Sequence, residues 1–109
     1  MPEVTRDELG RRIFQINKEK AVESAVEKIR QALGSDWDSL TSSDIAILHD
    51  LLGELWIAIG RNRWDEYVFS GLKKKEVQSI ISIGVRVKQK NRLEQNEIDE
   101  VDGIFRASE

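Results

Sequence analysis

The chain has 109 residues, of which 39% are hydrophobic and 34% charged, with a formal net charge of −3. This length and composition predict one folded domain over residues 1–109 rather than a disordered chain. Because the chain has no cysteine, disulfides, thiolate catalysis and cysteine-based zinc or iron–sulfur sites are excluded.

The distribution of hydrophobic residues argues against a membrane protein. The longest strongly apolar run is interrupted by Asp50 and Glu54, so it is not suited to span a bilayer. Glu3, Asp7 and Glu8 stand where a signal peptide would carry its apolar core. We therefore expect a cytoplasmic protein with no membrane partner.

Four short segments share one pattern that predicts the start of a helix. Each has an apolar residue, a cap position, two further residues, an acidic residue and a second apolar residue, as in Leu40 to Ile45. In that segment Thr41 is placed to accept a bond from a free backbone N–H, and Asp44 is placed to reach back. The same layout occurs at residues 4–9, 72–77 and 93–98.

The first helical region, residues 6–33, carries two apolar stripes. Leu9, Ile13 and Ile16 share one face. The second stripe consists of Val22, Val26, Ile29 and Leu33. On a straight helix the two stripes would point to nearly opposite sides. This predicts a break near residues 17–20, and the alternative is one long helix whose first half packs against something else, such as a second copy.

Residues 42–59 predict a central hydrophobic helix. From Ile45 to Ile59, eleven of fifteen positions are apolar. A helix that is apolar on most of its circumference needs neighbours on several sides. We therefore expect Leu52 and Leu55 at the centre of the core, and we expect Gly60 to end the helix.

The rest of the chain also favours helices. We predict a loop over residues 34–39 and a short helix over 62–69. Residues 74–90 favour a helix, although their alternation of β-branched and polar residues also fits a strand. The last helix, residues 95–107, is expected to bury Ile98, Val101, Ile104 and Phe105. The predicted fold is all-α: a small bundle of four to six helices around the central helix.

The sequence has few residues that could take part in catalysis or bind a metal. His49 is the only histidine, and without a second histidine or a cysteine it has no partners for a typical zinc site. Asp50 and Glu54 lie one turn apart, the spacing that two carboxylates need to share a cation. They also form the polar strip that such a helix needs to meet water, and we favour this second interpretation. A phosphate-binding loop and a nucleophile elbow are both missing. We therefore expect no catalytic residue, no metal, no cofactor and no enzymatic activity.

Aromatic residues outside the central helix suggest contacts with another protein. Trp37, Trp64 and Tyr67 lie in connecting segments, and Trp and Tyr are favoured at interfaces. Ile57 is expected to face away from Leu52 on the central helix. These residues predict a small non-enzymatic protein-interaction module, such as an adaptor, inhibitor or assembly subunit, with a homodimer as one form.

Charge is unevenly distributed, which gives an alternative function. Residues 61–92 carry a net charge of +6 and residues 93–109 a net charge of −5. On a helix, the side chains of Lys75, Ser79, Ser82, Arg86 and Lys90 form one stripe about 22 Å long. Arg61, Arg63, Lys75, Arg86 and Lys90 would then bind nucleic acid. The other interpretation is a solvated basic face that the acidic last helix balances.

Overall fold

The computed structural model describes residues 6–107, and within that range every regular element is helical. α1 spans Arg6–Leu33, a 3-10 helix spans Gly34–Ser39, α2 spans Ser42–Trp64, α3 spans Lys74–Lys90 and α4 spans Gln95–Ala107. The predicted all-α bundle is confirmed, and the segment that also fitted a strand is a helix. None of the helices in this range is both long and apolar enough to cross a bilayer.

Three helix starts share a hydrogen bond that runs backward from an acidic side chain. Asp44, Glu76 and Glu97 each accept a bond from the backbone N–H three residues earlier, at 3.1, 3.0 and 3.1 Å. Among these three, α2 also has the reciprocal bond, from the Asp44 N–H to Thr41 Oγ1 at 3.1 Å. The cap positions of α3 and α4 are occupied by Lys73 and Glu94, which are poor cap residues. They are tolerated because the acidic side chain three residues later accepts a hydrogen bond from a free backbone N–H. The cap predicted at residues 4–5 lies outside the described residues.

α1 is one continuous helix of 28 residues, so the predicted break near residues 17–20 is wrong. That segment contains no proline or glycine, and nothing else there interrupts the helix. The stripe that begins at Val22 is buried, whereas Leu9, Ile13 and Ile16 are about half exposed. The two stripes therefore do point to different sides, and only the second one packs into the bundle.

α2 lies at the centre of the core, as its composition predicts. Leu48, Leu52 and Leu55 are each 0% exposed. Gly60 interrupts the helix with φ 80° and ψ 168°, a conformation that glycine adopts without a Cβ clash. One further helical turn, residues 61–64, follows this kink.

The short helix predicted over residues 62–69 is wrong beyond Trp64. The chain forms a turn at residues 65–66 and has no regular secondary structure from Tyr67 to Phe69. The N–H of the residue between Tyr67 and Phe69 donates to the carbonyl of Phe105 at 3.1 Å. Both rings lie against the ring of Phe105, with centroid distances of 5.2 and 4.9 Å. Burial of these rings together favours this irregular path over another helical turn.

Gly84 allows α3 to pack closely on α2. A Cβ at this position would lie 2.6 Å from Ile47 Cγ2 and 3.4 Å from the Ile47 carbonyl oxygen. We therefore expect Gly84→Ala to lower the free energy of unfolding by about 1–3 kcal/mol, because Ile47 or the helix must move. Urea denaturation measures this change.

Gly103→Ala in α4 is the matched control for Gly84→Ala. A Cβ at Gly103 would meet no atom within 4 Å, and alanine favours a helix by up to about 1 kcal/mol relative to glycine. We expect this variant to be as stable as the natural chain or more stable. A similar effect of the two substitutions would contradict the close packing at Gly84.

Candidate protein-interaction surface

The first half of α1 presents apolar side chains to solvent. Leu9, Ile13 and Ile16 are 52%, 51% and 49% exposed. Because they are spaced by four and three residues, they lie together on one side of the helix. A single exposed hydrophobic residue is ordinary, but a contiguous group on a surface is typical of interaction sites. We call these three residues the outer strip.

Two more large hydrophobic side chains are exposed, one on α1 and one on α2. Phe14 is 46% exposed and Ile57 is 49% exposed. The ring of Phe14 lies 5.0 Å from the ring of Trp56, centroid to centroid, and Ile57 follows Trp56 on α2. Phe14 was not predicted as a site residue because its position falls between the two stripes of α1. Its placement becomes evident only from its contact with α2.

The aromatic residues predicted to contact a partner lie in different surroundings. Trp64 and Tyr67 are 6% and 7% exposed. The ring of Trp64 lies 5.3 Å from that of Phe69 and 6.1 Å from that of Tyr67. Trp64 and Tyr67 are covered by the chain itself, so their placement gives no support to a contact role. Trp37, on the 3-10 helix, is half-buried against the core, and its contact role stays a prediction.

The second half of the basic stripe on α3 is paired with carboxylates. Arg86 lies 3.1 Å from Glu100 and 3.8 Å from Glu97, measured between nitrogen and oxygen. Lys90 Nζ lies 2.8 Å from Glu97 Oε1 and 3.2 Å from Glu94 Oε1. This arrangement matches the interpretation of a basic face balanced by the last helix. It lowers the positive potential that a phosphate backbone would meet.

The hydroxyl groups in the first half of the stripe bond to their own helix. Ser79 Oγ donates to the carbonyl of Lys75, and Ser82 Oγ donates to the carbonyl of Gln78, each at 3.1 Å. Lys75 itself is exposed. In the first half of the stripe, Lys75 is therefore the one charged side chain that could attract a phosphate.

The two arginines after Gly60 have different environments. Arg63 Nε lies 3.0 Å from Asp102 Oδ1 of α4. Burial alone would raise the pKa of Asp102, but the contacts with Arg63 and Tyr67 and the charges of Arg63 and Arg106 together outweigh burial, so the pKa is lowered. Arg61 lines a cleft of about 380 Å³ together with Lys20 and Lys28 of α1. Asp65 lines this cleft as well, so Arg61 has neighbours of both charge signs, and the cleft does not include the carboxylates that pair with α3.

Glu97 is a buried charged residue, 1% exposed, that links α3 to α4. Burial alone would raise the pKa of its carboxyl group. Hydrogen bonds from Lys90 and from the backbone N–H of Glu94 outweigh that effect and hold the pKa below its ordinary value of 4.5. The same contact raises the pKa of Lys90. The helix-start pattern predicts one of these bonds, whereas the ion pair depends on how α3 and α4 pack.

His49, Asp50 and Glu54 line a cleft of about 450 Å³. Lys18 and Arg92 line the same cleft, so it carries charges of both signs. Among residues 9–106, whose side chains the structure describes, no three histidine, aspartate or glutamate side chains are grouped closely enough to hold a metal ion. That the chain has no enzymatic activity stays a prediction.

No family model, curated protein or solved structure matches this chain. Function is therefore inferred from the exposed residues alone. In the described part of the chain, the large hydrophobic side chains that are exposed are those of the outer strip, Phe14 and Ile57. Four of the nine basic residues in the segment 61–92 lie in ion pairs: Arg63, Arg86, Lys90 and Arg92.

We expect only weak nucleic-acid binding, because Arg63, Arg86 and Lys90 are already paired with carboxylates. Fluorescence anisotropy with labelled single-stranded DNA and RNA at low salt should show no saturation at high micromolar protein. The contrary result would be saturable binding with a slope of log affinity against log salt of about −2 to −3, typical of three phosphate contacts. Loss of that slope in a Lys75→Gln, Arg86→Gln and Lys90→Gln triple variant would then assign the binding to α3.

Proposed function

We propose that this chain is a small non-enzymatic protein-interaction module and that it binds its partner through the outer strip of α1. The observation that carries the proposal is the exposure of about half of each side chain at Leu9, Ile13 and Ile16. The partner is another protein or a second copy of the chain.

The physical argument is the free-energy cost of apolar surface in water. Burying apolar surface contributes about 25 cal/mol per Å², so three half-exposed aliphatic side chains on adjacent turns represent a substantial unused stabilisation. Phe14, on another side of α1, and Ile57, on α2, are also about half exposed. A partner with an apolar face of its own would cover this surface, and polar or charged residues of α1 such as Arg12 and Glu19 would form the rim.

The sequence composition supports the non-enzymatic part of the proposal. A single histidine and no cysteine leave few groups that act as nucleophile, base or metal ligand near neutral pH. A nucleic-acid function has less support, because its predicted residues are mostly engaged in ion pairs on α4.

Site-specific photo-crosslinking in cells of the natural host tests this proposal. With a photoreactive residue at Ile13 or Ile16, we expect a discrete adduct with one protein, which is either another protein or the chain itself. The control position is Gln89, which is exposed on α3 and should give no such adduct. A second change, Leu9→Gln, should reduce the adduct formed from Ile13, because it removes part of the same apolar surface.

The proposal would be overturned if the outer strip gave no discrete adduct, or if the adducts from Ile13, Ile16 and Gln89 were the same. A thermal melt of each purified variant shows that the fold is retained. We expect the melts to change little, because the substituted side chains are exposed.

A further inference from the structure

The outer strip has the spacing of a coiled-coil seam. From Leu9 to Ile13 is four residues, and from Ile13 to Ile16 is three, which is the alternation of apolar positions in a heptad. At about 100° per residue, the strip points roughly 140° away from the buried stripe that begins at Val22. A second helix can therefore pack on the strip without meeting the bundle behind α1.

The residues that continue the strip along α1 exclude a parallel pair of two copies. The next positions at the same alternation are Lys20, Glu23 and Glu27, all exposed. In a parallel pair each of them would lie opposite the same residue of the other copy, so that like charges would meet along the seam. An antiparallel pair avoids this, because only residues 9–20 of the two helices need to overlap.

The charged residues beside the strip favour one antiparallel register of the two α1 helices. Arg12 and Glu19 are both exposed and, seven residues apart, flank the strip on the same side. If Ile13 lies opposite Ile16 of the second copy, Arg12 lies beside Glu19 of the second copy, and symmetry repeats this pair. The neighbouring register, with Leu9 opposite Ile13 of the second copy, would instead bring the two Arg12 side chains together.

Two further residues fit the same register. Gly10 lies on the other flank of the strip, where a Cβ would meet no atom within 4 Å. Glycine is unfavourable inside a helix, but it permits close approach of a second helix. At the ends of the overlap, the methylene chain of Lys20 covers Leu9 of the second copy while its ammonium group remains in water.

We infer that two copies of the chain form an antiparallel pair through α1, with Ile13 against Ile16 of the second copy and Arg12 beside Glu19 of the second copy. The inference rests on the proposed function, because it names the partner of the same outer strip. The interface is small compared with the roughly 1,200–2,000 Å² of stable complexes. We therefore expect a weak dimer, with a dissociation constant on the order of 100 μM.

Sedimentation velocity of two single variants, measured alone and mixed, tests this arrangement. Arg12→Glu alone places two acidic pairs across the seam, and Glu19→Arg alone places two basic pairs. Each should raise the dissociation constant about tenfold, because two attractive contacts become repulsive. In an equimolar mixture, every cross-seam pair is again of opposite sign, so a heterodimer at least as tight as the natural homodimer is expected.

Arg11→Glu is the control, because Arg11 is exposed on the opposite side of α1 from the strip and should leave the dissociation constant unchanged. Circular dichroism establishes that every variant is folded. A mixture that associates no better than the single variants would overturn the antiparallel register. A natural chain that remains a monomer at about 1 mM would overturn self-pairing altogether, since the expected dissociation constant is about tenfold lower. The proposed function would survive that result if Ile13 and Ile16 still crosslinked to another protein.

Discussion

Leu52→Ala or Leu55→Ala in α2 should lower the free energy of unfolding by about 2–5 kcal/mol. Both side chains are 0% exposed, so truncation removes buried methyl groups and leaves a cavity that rigid helices on several sides cannot fill. Domains of this size are stable by only about 5–15 kcal/mol, so either substitution should produce a chain that unfolds at markedly lower urea concentration. Urea denaturation followed by tryptophan fluorescence measures the loss.

Ile57→Ala in the same helix is the matched control for these two variants. It also shortens a large aliphatic side chain in α2, but at a position that is 49% exposed, so the expected loss is below about 1 kcal/mol. A loss below about 1 kcal/mol for Leu52→Ala or Leu55→Ala, with the fold retained, would show that the residue lies at the edge of the core rather than at its centre.

Local sequence patterns predicted those elements of the fold that depend on nearby residues. Thr41 and Asp44 form the predicted cap because their bonding partners are three residues away. Gly60 interrupts α2 because it adopts a positive φ, which glycine allows irrespective of distant residues. α3 is a helix despite its alternating β-branched residues, since a strand there would have had no partner strand.

Features that depend on distant residues could not be predicted in the same way. The path of residues 62–69 is decided by Phe105, which is distant in sequence. The continuity of α1 follows from the absence of a helix breaker rather than from the direction of its stripes. For the candidate site, the sequence predicted that Ile57 and the outer strip turn away from the core, but it assigned Trp64 and Tyr67 to the surface because they lie in a connecting segment. Their burial requires a cluster that residues 64–69 form with Phe105 of α4, which is distant in sequence.

Glu97→Gln should be the most destabilising change of a charged residue in the described part of the chain, lowering the free energy of unfolding by about 2–4 kcal/mol near neutral pH. Glutamine keeps the size of the side chain but loses the charge that Lys90 and Arg86 contact. The matched control is Glu100→Gln, which removes the same charge from an exposed partner of Arg86. Its expected loss is below about 1 kcal/mol.

Glu97→Gln and the natural chain should differ in free energy of unfolding, and the pH dependence of this difference shows whether the lost charge causes it. The folded-state pKa of Glu97 is lowered from its ordinary value of 4.5. The carboxylate therefore contributes stability that is fully present above pH 4.5 and is lost as the pH falls through the folded-state pKa. Urea denaturation at a series of pH values should show a constant difference from neutral pH to about pH 5, which narrows at more acid pH as the natural chain becomes protonated. A difference that stays constant to pH 2 would show that the side-chain amide disturbs packing, and that the ion pair between α3 and α4 contributes little.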